Sequence, residues 1–77
     1  MNPQQKLQQL MQAKGYRVQV FDTSGLGVPD SWQIEYYDPA TGEYIGTIGG
    51  VPATYLEVIA DIQQLPSYNE WKARKPQ

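Results

Sequence analysis

The sequence predicts an α+β domain: a helix, three antiparallel strands, a second helix and a short terminal helix, with the first two helices packed on one face of the sheet. Three observations predict it. The apolar period is helical through Leu7, Leu10 and Met11 and changes to two at Tyr16, Val18 and Val20. Two alternating runs, 31–37 and 43–48, flank the turn sequence Asp38-Pro39-Ala40-Thr41-Gly42. Ser/Thr-x-x-Glu spacing then occurs at Thr54 to Glu57 and again at Ser67 to Glu70, each time opening a helical stretch.

Asn2 followed by Pro3 reads as an N-cap with proline at the first helical position, so the first helix runs from Pro3 to about Lys14, where Gly15 ends it. Its remaining surface is nearly all Gln and Lys, which leaves one stripe to bury. The first strand spans Tyr16 to Phe21. The segment Asp22 to Asp30, with Gly25, Gly27 and Pro29, is too rich in glycine to continue it and reads as a loop.

The second strand, Ser31 to Tyr37, alternates Trp32, Ile34 and Tyr36 with polar positions. In the turn that follows, proline presets φ, Asp38 bonds the backbone ahead and Gly42 accepts positive φ. The third strand, Glu43 to Ile48, is expected to stop at Gly49-Gly50. If Asp38 and Glu43 close the hairpin, Tyr37 faces Tyr44, Tyr36 faces Ile45 and Ile34 faces Thr47. Trp32, Ile34, Tyr36 and Ile45 then share one face, and Gln33, Glu35, Tyr37, Tyr44 and Ile48 the other.

The second helix starts at the Thr54 capping box, or as early as Pro52, and buries Tyr55, Leu56, Ile59 and Ile62 or Leu65 before Pro66 stops it. Tyr68 to about Arg74 forms the third, docking Trp71, and Lys75-Pro76-Gln77 are expected to fray. We read all 77 residues as a single domain. A core of this size supplies only a few kcal/mol of net stability, so partner binding or self-association is a natural supplement.

Charge is distributed unevenly. No Lys or Arg occurs between Arg17 and Lys72, and all eight acidic residues lie within that interval, for a net charge of −2. With no Cys there is neither a disulfide framework nor a thiolate metal site, and a reducing compartment fits. No apolar run approaches the length of a spanning helix, and the N-terminus lacks a basic flank before an apolar stretch. The expectation is an acidic cytoplasmic protein without membrane contact.

Helix, three antiparallel strands, helix is the order of double-stranded-RNA-binding domains. The stripe of Pro3, Leu7 and Leu10 is similar to that family's first helix, and the resemblance covers about residues 2 to 65 in topology only. It implies duplex RNA binding through a Lys-rich start to the second helix. Here that stretch is Gly49-Gly50-Val51-Pro52-Ala53-Thr54, without one basic side chain. Phosphate contacts supply most of the affinity for a duplex, so nucleic acid is not the expected partner.

Catalysis begins without its commonest base and its best nucleophile, since His and Cys are absent. Asp22 and Asp30 bracket the glycine loop and would have to converge on a divalent cation for a metal-dependent enzyme. The plainer reading makes them turn-forming or solvated acids, because the loop lacks the spacing of a calcium motif. Gly25-Leu26-Gly27 lacks the third glycine and the lysine of a phosphate-cradling loop. Neither enzyme activity nor a cofactor or metal is therefore expected.

Tyr37 and Tyr44, rimmed by Glu35 and Glu43, have the composition of a protein-contact patch, which Phe21 and Ile48 would enlarge. The same pair also stabilises a hairpin simply by cross-strand contact. The expected function is noncatalytic protein binding, as an adaptor, inhibitor or regulatory subunit. An alternative is acidic mimicry of nucleic acid, with Asp22, Asp30, Glu35, Asp38 and Glu43 entering a phosphate-binding groove on a nuclease or DNA-binding protein. Trp71 is expected to pack on its own domain. The basic residues after it would then answer the acidic body of a neighbouring copy, which favours a homodimer.

Overall fold

The computed structural model describes residues 2–26 and 29–74, without the side chains of Leu26, Val51 and Pro52. The expectations for Gly27 and for fraying at 75–77 lie outside the described residues. The elements are α1 (Pro3–Ala13), β1 (Arg17–Asp22), a single 3-10 turn (Ser24–Leu26), β2 (Ser31–Tyr37), β3 (Tyr44–Thr54), α2 (Tyr55–Gln64) and α3 (Tyr68–Arg74). The sheet is antiparallel in the order β1-β2-β3. The expected α+β class and element order are present.

The helix starts follow from their caps. Asn2 Oδ1 accepts from the Gln5 N–H at 2.8 Å ahead of Pro3. At α2 both halves of the capping box form, Thr54 accepting from the Glu57 N–H and Glu57 reaching back to Thr54. At α3 the Ser67–Glu70 pair does the same. Each box satisfies amide donors that would otherwise lack an intrahelical partner.

Leu7 and Met11 of α1 and Val58 and Ile62 of α2 close over Trp32, Ile34 and Ile48 of the sheet, with Tyr16 at the edge of this buried cluster. Leu56 departs from the expected stripe and is 75% exposed, whereas Val58 is buried completely. At about 100° per residue the two lie about 160° apart around the axis, so a helix that buries Val58 and Ile62 must turn Leu56 outward. Trp71 packs against the cluster and stacks on Tyr68 with ring centroids 5.9 Å apart.

The hairpin register differs from expectation at one residue. Tyr37 does face Tyr44, but Tyr36 faces Gly46, Glu35 faces Thr47 and Ile34 faces Ile48. Ile45 is therefore an extra residue, a β-bulge, and beyond it every side chain of β3 exchanges faces. Ile48 consequently belongs to the core, at 7% exposure, and not to the free sheet face where the unbulged register put it. Gly46 makes the shift possible: a Cβ there would lie 2.8 Å from the Tyr36 hydroxyl oxygen, so the Tyr36 ring covers bare backbone.

β3 also runs past Gly49-Gly50 to Thr54. Regular pairing stops at the Gln33–Gly49 pair and resumes only at Ser31 opposite Thr54. A buried polar knot holds this detour. The Ser31 hydroxyl donates to the Gly50 carbonyl at 2.8 Å, the Thr23 hydroxyl reaches the same carbonyl at 3.2 Å, and the two hydroxyls lie 2.6 Å apart.

Candidate protein-contact surface

Helices cover one side of the sheet, and among the described residues no helix covers the other. Since paired residues share a face, the ladder places Arg17, Tyr37 and Tyr44 on one rung of the free side, Gln19, Glu35 and Thr47 on the next, and Phe21, Gln33 and Gly49 on the third. Tyr37, Tyr44, Glu35 and Phe21 thus occupy the face expected of them. Glu43 is exposed at the turn, where its carbonyl accepts from the Asp38 N–H at 2.8 Å and closes the hairpin. Ile48 is absent from this surface for the reason given above.

The Tyr37 and Tyr44 rings meet edge to face, with centroids 6.0 Å apart and planes at 68°. Such a contact contributes about 0.5–1.5 kcal/mol beyond its buried area. The Tyr37 hydroxyl donates to Glu35 Oε1 at 3.2 Å, and the Tyr44 hydroxyl shares a short hydrogen bond with Thr47 Oγ1. Burial first, then the hydrogen bond to Glu35 and the charges of Glu35 and Tyr44, raise the Tyr37 pKa. The pair is held in place with Tyr37 half-buried, while Tyr44 remains 55% exposed.

Beside the tyrosines, Arg17, Val18, Gln19, Tyr37 and Gly42 line an open depression of about 520 Å³. Among the described residues, the Arg17 guanidinium has no hydrogen bond or ion pair. The face therefore pairs a cation on the β1 side with carboxylates at Glu35 and Glu43, and it offers aromatic and amide groups between them.

The two acids that bracket the glycine loop have structural partners. Asp22 Oδ1 accepts from the Ser24 hydroxyl and N–H, which lower its pKa, and Asp30 Oδ1 accepts from the Trp32 indole at 3.1 Å. Among the described residues no group of three or more acidic side chains converges on a metal-sized site. The first turn of α2 carries Glu57 and no cation.

Asp38 is the acid whose role the sequence read only in part. Its turn function is present, with Oδ1 accepting from the N–H groups of Ala40 and Thr41, but it also accepts from the Tyr68 hydroxyl at 2.9 Å. That bond ties the hairpin to α3. It joins the Tyr68 N–H bond to the Lys14 carbonyl at 2.7 Å, the Tyr16 hydroxyl bond to the Pro66 carbonyl at 2.7 Å and the Lys14 ammonium bond to the Leu65 carbonyl. No local pattern announces contacts between residues so far apart in the chain.

These contacts set a pH profile. Burial pushes the Asp38 carboxyl up, but the hydrogen bonds from Ala40, Tyr68 and Thr41 and the nearby Lys72 ammonium outweigh it, so its pKa is lowered. The Ser67 N–H and hydroxyl lower Glu70. Burial foremost raises Tyr16 and Tyr36, and the bond to Asp38 foremost raises Tyr68. Stability from the carboxylates is complete above their unfolded values, about pH 4, and lost as pH falls through the lower folded ones. Stability from the tyrosines is complete below about pH 10 and lost as pH rises through their folded values. Thermal melts followed by circular dichroism should show a plateau from about pH 5 to 9 with falls on both sides. A midpoint unchanged between pH 7 and pH 3 would contradict the Asp38 and Glu70 assignments.

No protein-family model, curated protein or solved structure matches the chain. Among the described residues, no helix is long and apolar enough to cross a membrane.

Proposed function

We propose that the protein is a noncatalytic binding module, an adaptor, inhibitor or regulatory subunit, whose contact surface is the free face of its sheet. The observation that carries the reading is the Tyr37–Tyr44 pair, which is fixed edge to face by its own hydrogen bonds and leaves the Tyr44 ring open to solvent. Rigid aromatic groups give large contact area at small entropic loss, which is why they dominate interface energetics. Glu35 and Glu43 favour a partner that is basic where it meets the rim, while Arg17 asks for an acidic or aromatic group at the opposite edge.

Acidic mimicry of nucleic acid receives less support, because Asp38 is turned inward onto Tyr68 and Asp22 and Asp30 are engaged with their own loop. The two mechanisms separate by salt. With the protein immobilised in cell lysate, a partner held by aromatic burial should stay bound in about 1 M salt, where exposed charges further than about 3 Å apart are screened. It should be lost from a Tyr44→Asp variant that keeps its circular dichroism spectrum. A partner that elutes at moderate salt from both proteins would support mimicry and sink the aromatic reading.

A further inference from the structure

We infer that the free sheet face is self-complementary and binds a second copy of this chain face to face, about a two-fold axis parallel to the strands. The inference rests on the reading of that face as a contact surface and names its partner.

A two-fold lying between two facing sheets and parallel to their strands preserves each rung and reverses its order. It sets β1 of one copy over β3 of the other, and β2 over β2. On the first rung Arg17 then lies over Tyr44 of the second copy, with Glu43 next to it in sequence. A guanidinium without a partner among the described residues is placed over an exposed ring and beside a carboxylate, and symmetry makes the contact twice. Tyr37 meets its own equivalent near the axis, where aromatic rings stack favourably.

Shape agrees with charge on the third rung. Gly49 has φ +80, and a Cβ there would point to the helix side, 2.4 Å from the Trp32 carbonyl and 3.0 Å from Val58 Cγ2. Its outer side is bare backbone, a dimple beneath the Phe21 ring of the second copy, and Phe21 is half-buried outside the core cluster. The opposing term is Glu35 near its own equivalent, softened because each carboxylate already accepts from Tyr37.

Three strands about 4.8 Å apart and six residues long at about 3.3 Å each give a footprint on the order of 300 Å² per copy. Even with side-chain relief this is below the roughly 800 Å² per partner of a standard stable complex, so the dimer is weak, dissociating in the range from about 10 μM to 1 mM.

Sedimentation velocity from about 10 μM to 1 mM tests it, with circular dichroism confirming that each variant is folded. The wild type should shift from monomer towards dimer across that range. Arg17→Glu and Glu43→Arg should each weaken association about tenfold, and the double variant should restore it to within about threefold of the wild type. A wild type that is monomeric at 1 mM, or a double variant no better than the singles, overturns the inference. If the wild type is monomeric and lysate capture still depends on Tyr44, self-association fails while the binding reading stands. If capture also shows no Tyr44 dependence, both fail.

Discussion

Ile48→Lys should unfold the protein, while the same substitution one residue earlier, Thr47→Lys, should leave it folded. Ile48 is packed beneath α2 at 7% exposure, and an ammonium there has no partner. An uncompensated buried charge costs about 3–5 kcal/mol, comparable to the whole net stability of a domain this small. Thr47 is exposed opposite Glu35, so its lysine gains a cross-strand carboxylate and loses only the hydrogen bond to Tyr44. The expected change is below about 1 kcal/mol. The pair is a direct reading of the Ile45 bulge, because without it the two positions would trade places. Far-ultraviolet circular dichroism and a thermal melt suffice, and a folded Ile48→Lys beside an unfolded Thr47→Lys would mean the hairpin runs in the unbulged register. Ile34→Asp, on the strand position that both registers bury, should unfold in either case and calibrates the assay.

The second large effect is expected at Gly49. Its φ of +80 is a conformation that L side chains rarely adopt, and a Cβ would stand 2.4 Å from a backbone oxygen that cannot move aside like a side-chain tip. Strain of about 1–3 kcal/mol from the dihedral adds to displacement of the β2–β3 pairing beneath α2. Gly49→Ala should therefore lower the melting midpoint by about 10 °C or more, since each kcal/mol corresponds to about 4–8 °C in a domain of this length. Gly42→Ala offers the comparison: its φ is +78 but the space around it is open, so it carries the dihedral strain alone and should fall less. Equal losses at the two sites would show that the contact with Trp32 is not what fixes Gly49.

Most of the architecture was legible because it rests on local chemistry. The proline after Asn2, the two Ser/Thr-x-x-Glu boxes and the Asp38–Gly42 turn each fix a boundary through bonds made within a few residues. Alternation then placed Tyr37, Tyr44, Glu35 and Phe21 on the free face. What was lost depends on distance or on a single inserted residue. A bulge at Ile45 leaves little trace in an alternating run, although Gly46 inside a strand is the mark that would have raised the question. The Leu56 error came from centring the buried stripe on Tyr55, Leu56 and Ile59 and passing over Val58, whereas the stripe through Tyr55, Val58, Ile62 and Leu65 leaves Leu56 on the far side. The clasp of Asp38, Tyr68, Tyr16 and Pro66 joins parts of the chain about thirty to fifty residues apart, which no spacing rule reaches.

Among the described residues, two large apolar side chains stand open on opposite sides of the domain, Tyr44 on the free sheet face and Leu56 on the outer surface of α2. They supply the most direct test of the central claim that the sheet face is the contact surface. The measurement is affinity capture from lysate with wild type, Tyr44→Asp and Leu56→Asp in parallel, each variant first shown to be folded. The account predicts a protein held by wild type and Leu56→Asp and lost from Tyr44→Asp. Retention by Tyr44→Asp together with loss from Leu56→Asp would move the contact surface to the helix layer and contradict it.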